Sequence, residues 1–271
     1  MKAKDIVIYT DMDGTALSDW DKGPVVPERS LQRIQRFVAE GGCFSVASGR
    51  EASGILRYFP EIEFKAPLVC YNGAVVCDAD SGEVLWKISL PESILRDCWD
   101  CLLAHPETQL FASTEHRFYQ VLTGDPLRDH VPEDWVWSTL PMENFLAGEF
   151  VKVAYLLPDG GDMEGFKTDF SRMPHHDLVV GAQSAPLCYE VVEHSVNKGM
   201  GIRHALEAAG LEDRTLVCIG DYYNDWAMLQ MADIAACPET SPREIKGICK
   251  IITCGNNEGA VGDLIERLNL W

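Results

Sequence analysis

Lys4-Asp5-Ile6-Val7-Ile8-Tyr9-Thr10-Asp11 is a short β-branched run that ends on a carboxylate. It reads as a buried strand with Asp11 carried at its carboxyl end. Working outward, Pro27 and Glu28 open a stretch with Leu31, Ile34, Phe37 and Val38 at helical spacing, stopped by Gly41-Gly42. Cys43-Phe44-Ser45-Val46-Ala47 is a second apolar run, ending in Ser48-Gly49-Arg50. Pro67-Leu68-Val69-Cys70-Tyr71 is a third, ending in Asn72-Gly73. Strand, helix, strand, helix, strand predicts a parallel sheet with right-handed crossovers.

The rhythm changes near residue 74. Ala74–Cys77 and Glu83–Trp86 flank Asp80-Ser81-Gly82, which is hairpin chemistry. Beyond it come a helical stretch near 91–105, a strand near 108–121, a Trp- and Pro-containing loop near 125–145, a strand at 150–157, a helix near 161–173 and a strand at 178–180. That mixture predicts a separate α+β domain over 87–188, inserted into a discontinuous core of 1–86 and 189–271. The βα rhythm then resumes. Asn197-Lys198-Gly199 leads a helix closed by Gly210, and Thr215–Ile219 is a strand ending in Gly220-Asp221. A helix at 226–231, two short strands at 234–236 and 251–253, and a closing helix at 260–268 complete the chain.

At a prior of about 150 residues per domain, 271 residues suit one large domain or two modest ones. Apolar residues at 46% and charged residues at 24% describe a folded soluble protein and exclude disordered and fibrous classes. The net charge of −19 repels nucleic-acid backbones and anionic lipid, so neither nucleic acid nor membrane is an expected partner. A small anionic substrate then demands a local cation or a bound metal. No apolar run approaches the roughly 18 residues that cross a bilayer, and Ile6–Tyr9 is too short for a signal-peptide core, so a cytoplasmic protein is expected. The ten cysteines, mostly flanked by apolar residues, read as buried thiols, and Cys98 and Cys101 as helix packing.

In an open parallel sheet, ligands gather beyond the carboxyl ends of the strands. The polar residues at those ends are Asp11 and Asp13, Ser48-Gly49-Arg50, Asn72, and Asp221 with Asn224 and Asp225, while Lys198 opens a helix on the same side. Carboxylates converging there would repel one another, which implies a hard divalent cation, Mg²⁺. Asp11-Met12-Asp13-Gly14-Thr15, Ser48-Gly49-Arg50, Lys198 and Gly220-Asp221-Tyr222-Tyr223-Asn224-Asp225 resemble, in order, the four motifs of the haloacid dehalogenase superfamily of phosphatases. Tyr71-Asn72-Gly73-Ala74, Asn197-Lys198-Gly199 and Asn256-Asn257-Glu258-Gly259-Ala260-Val261 look like its Cof-type subgroup.

The resemblance implies an α/β, Rossmann-like core with an inserted α+β cap domain that closes over the site. It implies a Mg²⁺-dependent phosphatase acting on a small phosphorylated metabolite, with sugar phosphates as the favoured class. Asp11 becomes the nucleophile that forms an aspartyl-phosphate, Asp13 the group that protonates the leaving alkoxide and later takes a proton from water, and Lys198 a charge-compensating cation. Side chains of Asp11 and Asp221 and the Asp13 backbone carbonyl hold Mg²⁺, with Asp225 in its surroundings orienting water or Lys198. Ser48, Gly49 and Asn224 hold phosphoryl oxygens.

Other readings stand beside these. Ser48 replaces the threonine more usual in the subgroup and keeps the hydroxyl. Arg50 reads as a substrate contact or a structural ion pair, and Asn72 as a turn residue or part of the pocket. Glu190, Glu193 and His194 read as polar residues of a strand face, His175-His176, with no nearby carboxylate pattern, as an exposed loop or helix end, and Trp135 and Trp137 as packing. His116, Arg117 and Lys152 are cap contacts chosen on charge alone. A sugar phosphomutase of the same superfamily and a non-catalytic binding protein on this scaffold are the alternative functions. Oligomeric state is not legible.

Overall fold

The structure, a computed structural model, describes residues 2–19, 23–124 and 138–270. Trp135 and Trp137 lie outside the described residues. The chain divides into two compact units, one of Met1–Trp86 with Asn197–Trp271 and one of Lys87–Val196. Along the chain, β1 (Ile6–Thr10), α1 (Glu28–Ala39), β2 (Cys43–Val46), α2 (Ala52–Leu56), β3 (Leu68–Cys70), β4 (Val75–Cys77) and β5 (Val84–Lys87) come first. The second unit carries α3 (Glu92–Ala104), β6 (Gln109–Ser113), β7 (Phe118–Leu122), β8 (Ser138–Pro141), α4 (Met142–Leu146), β9 (Lys152–Leu156), α5 (Met163–Phe170), β10 (Val179–Ala185) and β11 (Cys188–Glu193). The first unit resumes with α6 (Lys198–Ala209), β12 (Thr215–Ile219), α7 (Trp226–Met231), β13 (Ile234–Pro238), α8 (Arg243–Ile248), β14 (Ile251–Thr253) and α9 (Ala260–Arg267).

In the first unit five parallel strands lie in the order β14-β13-β12-β1-β2. All five residues of β1 are buried, as a parallel strand covered on both faces requires. β1 pairs with β12 from Ile6↔Thr215 to Thr10↔Ile219 and with β2 from Val7↔Cys43 to Thr10↔Val46, so the ends of the three strands finish level with one another. The third apolar run lies parallel beside the segment after β2, as expected, but joins the sheet there by a single bridge, Ala47↔Val69. Along its length β3 pairs antiparallel with β4. Side chains hold its entry instead, because the buried hydroxyls of Tyr9 and Ser45 both donate to the carbonyl of Pro67, at 2.9 and 2.8 Å. At its exit, Tyr71, Asn72 and Gly73 take positive φ in succession and turn the chain back into β4.

The second unit is a six-stranded sheet, β10-β11-β9-β6-β7-β8, antiparallel except for the β7–β8 pair. Its core joins Ile94, Leu95 and Cys98 of α3 and Phe166 and Phe170 of α5 to Leu110, Val153, Tyr155 and Val191 of the sheet. The expected single strand over 108–121 is two strands, because Thr114 and Arg117 close a turn with a 2.9 Å backbone hydrogen bond. The expected return to the core at residue 189 is also displaced. β11 alternates buried Tyr189, Val191 and Glu193 with less buried neighbours and pairs with both β9 and β10, so residues 189–196 belong to the second unit.

All ten cysteines are free thiols. Burial pushes the thiols of Cys98 and Cys101 up to about 12, which makes them packing groups rather than nucleophiles. Among the described residues no helix is long and apolar enough to cross a membrane.

Gly73 couples two elements of the first unit. Its φ is +112°, and a Cβ there would stand 2.2 Å from the Asn197 carbonyl oxygen at the start of α6. Gly73→Ala is expected to cost at least about 2 kcal/mol in urea unfolding, from strain and displacement together. Gly82→Ala, at φ +72° in open space, should cost about 1 kcal/mol from backbone strain alone. Equal losses at the two sites would show that the approach to Asn197 is not what requires glycine.

Candidate active site

The carboxyl ends of the strands are laced together by backbone hydrogen bonds. Asp11 N–H donates to Ile219 O at 2.9 Å, Ala47 N–H to Thr10 O at 2.9 Å and Ser48 N–H to Val69 O at 2.9 Å. The turn after β3 is tied back to the segment after β2, since Asn72 N–H donates to Ser48 O at 2.8 Å and Tyr71 N–H to Arg50 O at 3.1 Å. Polar side chains at these ends are therefore fixed by main chain on both sides.

At the centre lies an ammonium between two carboxylates. The Asn197 side chain caps α6 by accepting from Met200 N–H at 2.9 Å, which places Lys198 at the first helical position. Lys198 is 0% exposed, and its Nζ lies 2.5 Å from Asp11 Oδ1 and 2.6 Å from Asp225 Oδ1. The other oxygen of Asp225 accepts from the N–H groups of Asp221 and Tyr222, at 2.8 and 3.1 Å. Asp225 thus fixes both the lysine and the loop that bears Asp221. Asp221 Oδ1 accepts from the hydroxyl of Thr15 at 2.9 Å. Close approach needs glycine at two points, because a Cβ on Gly14 or Gly220 would stand 2.5 Å from Asp221 Oδ2 or 2.4 Å from Asp225 Cγ.

Oxygens of Asp11, Asp221 and Asp225 lie within 4.8 Å of one another. Burial, then the neighbouring charge of Asp225, holds the Asp11 carboxyl well above the usual carboxylate range, with Lys198 opposing. Asp221 is raised for the same two reasons. Burial alone would pull Lys198 down, but Asp11 and Asp225 more than offset it and its pKa lies above the ordinary value. One ammonium is thus set against three clustered carboxylates, two of which resist ionisation, so the donor set fits a hard divalent cation.

The Asp13 side chain stands apart from this cluster. Its carboxylate is 62% exposed and is gripped by Arg50, Nε to Oδ2 at 2.9 Å and Nη2 to Oδ1 at 2.6 Å. Ser48 is buried, and its Oγ accepts from Arg50 N–H at 3.3 Å. A Cβ on Gly49 would meet the Asn72 amide at 3.1 Å, and Asn72 Oδ1 is buried with no hydrogen-bond partner among the described residues. Asn224 is exposed in the 3₁₀ turn Tyr223–Asp225. Two participants escaped the sequence reading. Thr15 stands in the first motif with no role of its own legible there, and its signal is a hydroxyl four residues after Asp11. Tyr58, whose ring lies 5.3 Å from the Arg50 guanidinium carbon, carries no local signal.

Residues named outside this unit's site have their own partners. Lys152 pairs with Glu190 at 2.8 Å, and Glu193 accepts from Ser195 Oγ and lies 2.5 Å from His194 Nδ1. His116 and Arg117 are exposed in the β6–β7 turn. His175 is exposed, as expected, and finds a carboxylate only across space: Asp97, distant in sequence and buried in α3, takes its backbone N–H at 2.9 Å and faces Nδ1 at 3.0 Å.

A family model described as haloacid dehalogenase-like hydrolase matches residues 8–265. The chain is 26% identical over 264 residues to the 5-amino-6-(5-phospho-D-ribitylamino)uracil phosphatase YbjI of Escherichia coli, covering 97% of this chain and 95% of that one. It is 23% identical over 269 residues to a phosphatase of the same description, YitU of Bacillus subtilis, covering 98% of each. The structure of BT1666 from Bacteroides thetaiotaomicron, a haloalkanoate-superfamily protein, superposes with a TM-score of 0.78 at 18% identity over 99% of this chain and 97% of that one.

Removing the buried ammonium should expose the repulsion it masks. A carboxyl whose folded pKa lies above its unfolded value holds its proton more tightly when folded, so its effect on stability worsens as pH rises. With EDTA present, Lys198→Met is expected to lose at least about 3 kcal/mol near pH 8 and to recover part of that loss by about pH 5.5, as Asp11 and Asp221 take up protons. Urea unfolding at the two pH values measures it, and a loss independent of pH would mean that the carboxylates are not the source.

Proposed function

The chain belongs to the haloacid dehalogenase-like hydrolases and is a phosphoric-monoester hydrolase; on that footing we propose that Asp11 is its nucleophile, Mg²⁺ its metal, and a small sugar or sugar-alcohol phosphate its substrate. The observation that carries this reading is the Asp11 carboxylate, buried at the tip of β1 with the Lys198 ammonium 2.5 Å from one oxygen. Such a group is desolvated and aimed, and the lysine bears the charge of an incoming phosphoryl group. In the first step an Asp11 oxygen forms the bond to phosphorus as the ester P–O bond breaks, and Asp13 gives its proton to the departing alkoxide. In the second, water attacks the aspartyl-phosphate, Asp13 takes a proton from it, and Asp11 leaves with phosphate released.

Asp11 and Asp221 side chains and the Asp13 carbonyl would hold Mg²⁺, with Asp225 beside them seating Lys198. When bound, the cation supplies charge neutralisation for the phosphoryl oxygens. Ser48 Oγ, the Gly49 N–H, Asn72 and Asn224 are the phosphate- and substrate-facing groups of this reading. The unpartnered Asn72 oxygen supports a substrate hydroxyl nearby, since a buried acceptor without a donor is costly. The phospho-ribityl substrates in the names of the curated relatives support a polyol phosphate. Ten free thiols support a reducing, cytoplasmic setting.

Asp11→Asn is expected to lower turnover by at least about 10³-fold while leaving the circular dichroism spectrum and thermal midpoint near wild type. Release of inorganic phosphate from a panel of sugar, sugar-alcohol and ribitylamino-uracil phosphates, with Mg²⁺ and with EDTA, tests the substrate class and the metal together. Wild-type rates in Asp11→Asn contradict the nucleophile assignment. An isomerised sugar phosphate in place of free phosphate would make the enzyme a mutase.

A further inference from the structure

The contact between Arg50 and Asp13 asks for an account beyond charge pairing. Surface ion pairs contribute little and wander, but this one is two-pronged, with 2.9 and 2.6 Å contacts that use both carboxylate oxygens. The arginine itself is held at root and tip. Its N–H donates to Ser48 Oγ, its carbonyl accepts from Tyr71 N–H at 3.1 Å, and its guanidinium carbon lies 5.3 Å from the centre of the Tyr58 ring. Asp13 has no comparable support. It sits at φ −74°, ψ 122° in the turn Met12–Ala16, beside Gly14 at φ +80°. Among the described residues its carboxylate accepts side-chain hydrogen bonds from Arg50 alone.

We propose that Arg50 is a positioning residue that acts through Asp13: its planar fork sets the direction in which the Asp13 carboxyl presents an oxygen to the leaving group and to water, and it does not touch the phosphoryl group. The proposal rests on the reading of Asp13 as the proton-exchanging group. It takes Arg50 out of the substrate contacts, because the two nitrogens that would fork a phosphate are already spent on the carboxylate. Each Asp13 oxygen has a second lone pair besides the one that accepts from Arg50, and that free position carries the transferred proton while the fork stays in place. Lysine cannot substitute, since an ammonium offers a point charge and no plane.

The leaving group reads this out. An alkyl alkoxide needs a proton as it departs, whereas p-nitrophenolate does not, and kcat/KM reports the steps up to that departure. Glycerol 3-phosphate and p-nitrophenyl phosphate are compared at saturating Mg²⁺ for wild type, Asp13→Asn, Arg50→Met and Arg50→Lys. Asp13→Asn should lose far more on the alkyl ester than on the aryl ester. Arg50→Met and Arg50→Lys should follow the same pattern, falling about 10- to 100-fold on the alkyl ester and less than about 3-fold on the aryl ester, within the 10²–10⁴ that general acid catalysis contributes. Equal losses on both esters would overturn the proposal by making Arg50 a phosphate contact or a fold element, and so would an unchanged or faster alkyl reaction. Should Asp13→Asn itself fail to discriminate, the assignment of Asp13 falls first and the role of Arg50 with it.

Discussion

The ammonium of Lys198, wholly enclosed and shared between Asp11 and Asp225, is the constraint around which the first unit is built. Enclosing a charge costs several kcal/mol unless partners are placed to within a fraction of an ångström. That demand reaches well beyond the three side chains. Asn197 must cap α6 so that the lysine enters at its first position, and Asp225 must spend its second oxygen on two backbone N–H groups to stay in place. Gly201 must lack a side chain, because a Cβ there would stand 2.5 Å from Val69 and 2.8 Å from Gly73. The helix therefore lies close enough to β3 and its turn to deliver the lysine to the tip of β1.

The same centre answers the problem posed by the net charge of −19. A long-range field of that sign disfavours an approaching phosphate ester, so attraction has to be local. One lysine is not enough, because three carboxylates clustered within 4.8 Å leave a negative excess even after it is counted. Burial makes that excess costly to hold, which is why Asp11 and Asp221 resist ionisation. A divalent cation held by these carboxylates would relieve both difficulties at once and make the acidic cluster compatible with activity toward an anionic substrate.

Much of this was legible in the chain because it is encoded locally. A buried parallel strand shows as an unbroken apolar run, and β1, β2, β12, β13 and β14 were found that way, as were the polar residues Asp11, Ser48 and Asp221 that follow the first three. The third run, 67–71, looked the same, but it pairs along its length with β4 and touches the parallel sheet at one bridge, while hydroxyls of Tyr9 and Ser45 meet the Pro67 carbonyl from far along the sequence. Periodicity carries no trace of such contacts. The return from the inserted unit was misplaced for a related reason: β11 has the alternation of a half-buried strand, and only its partners β9 and β10 say which sheet it joins. His175 with Asp97 and Arg50 with Tyr58 are likewise meetings across space, open to conjecture from a sequence but not to assignment.

Asp11 and Asp13 show how far two identical side chains can be separated by a two-residue step. Asp11 ends a strand, so its carboxylate inherits the burial of β1 and the company of Lys198. Asp13 follows a break in the regular backbone, just before Gly14 at positive φ, and its carboxylate is 62% exposed. In the proposed mechanism, burial suits a poorly solvated group that gains by bonding to phosphorus, while exposure suits one that trades protons with alcohol and water. Exposure also gives freedom, and a proton donor that wanders is a poor one. The Arg50 fork resolves that conflict, since it restrains Asp13 by hydrogen bonds and leaves the carboxylate in contact with solvent.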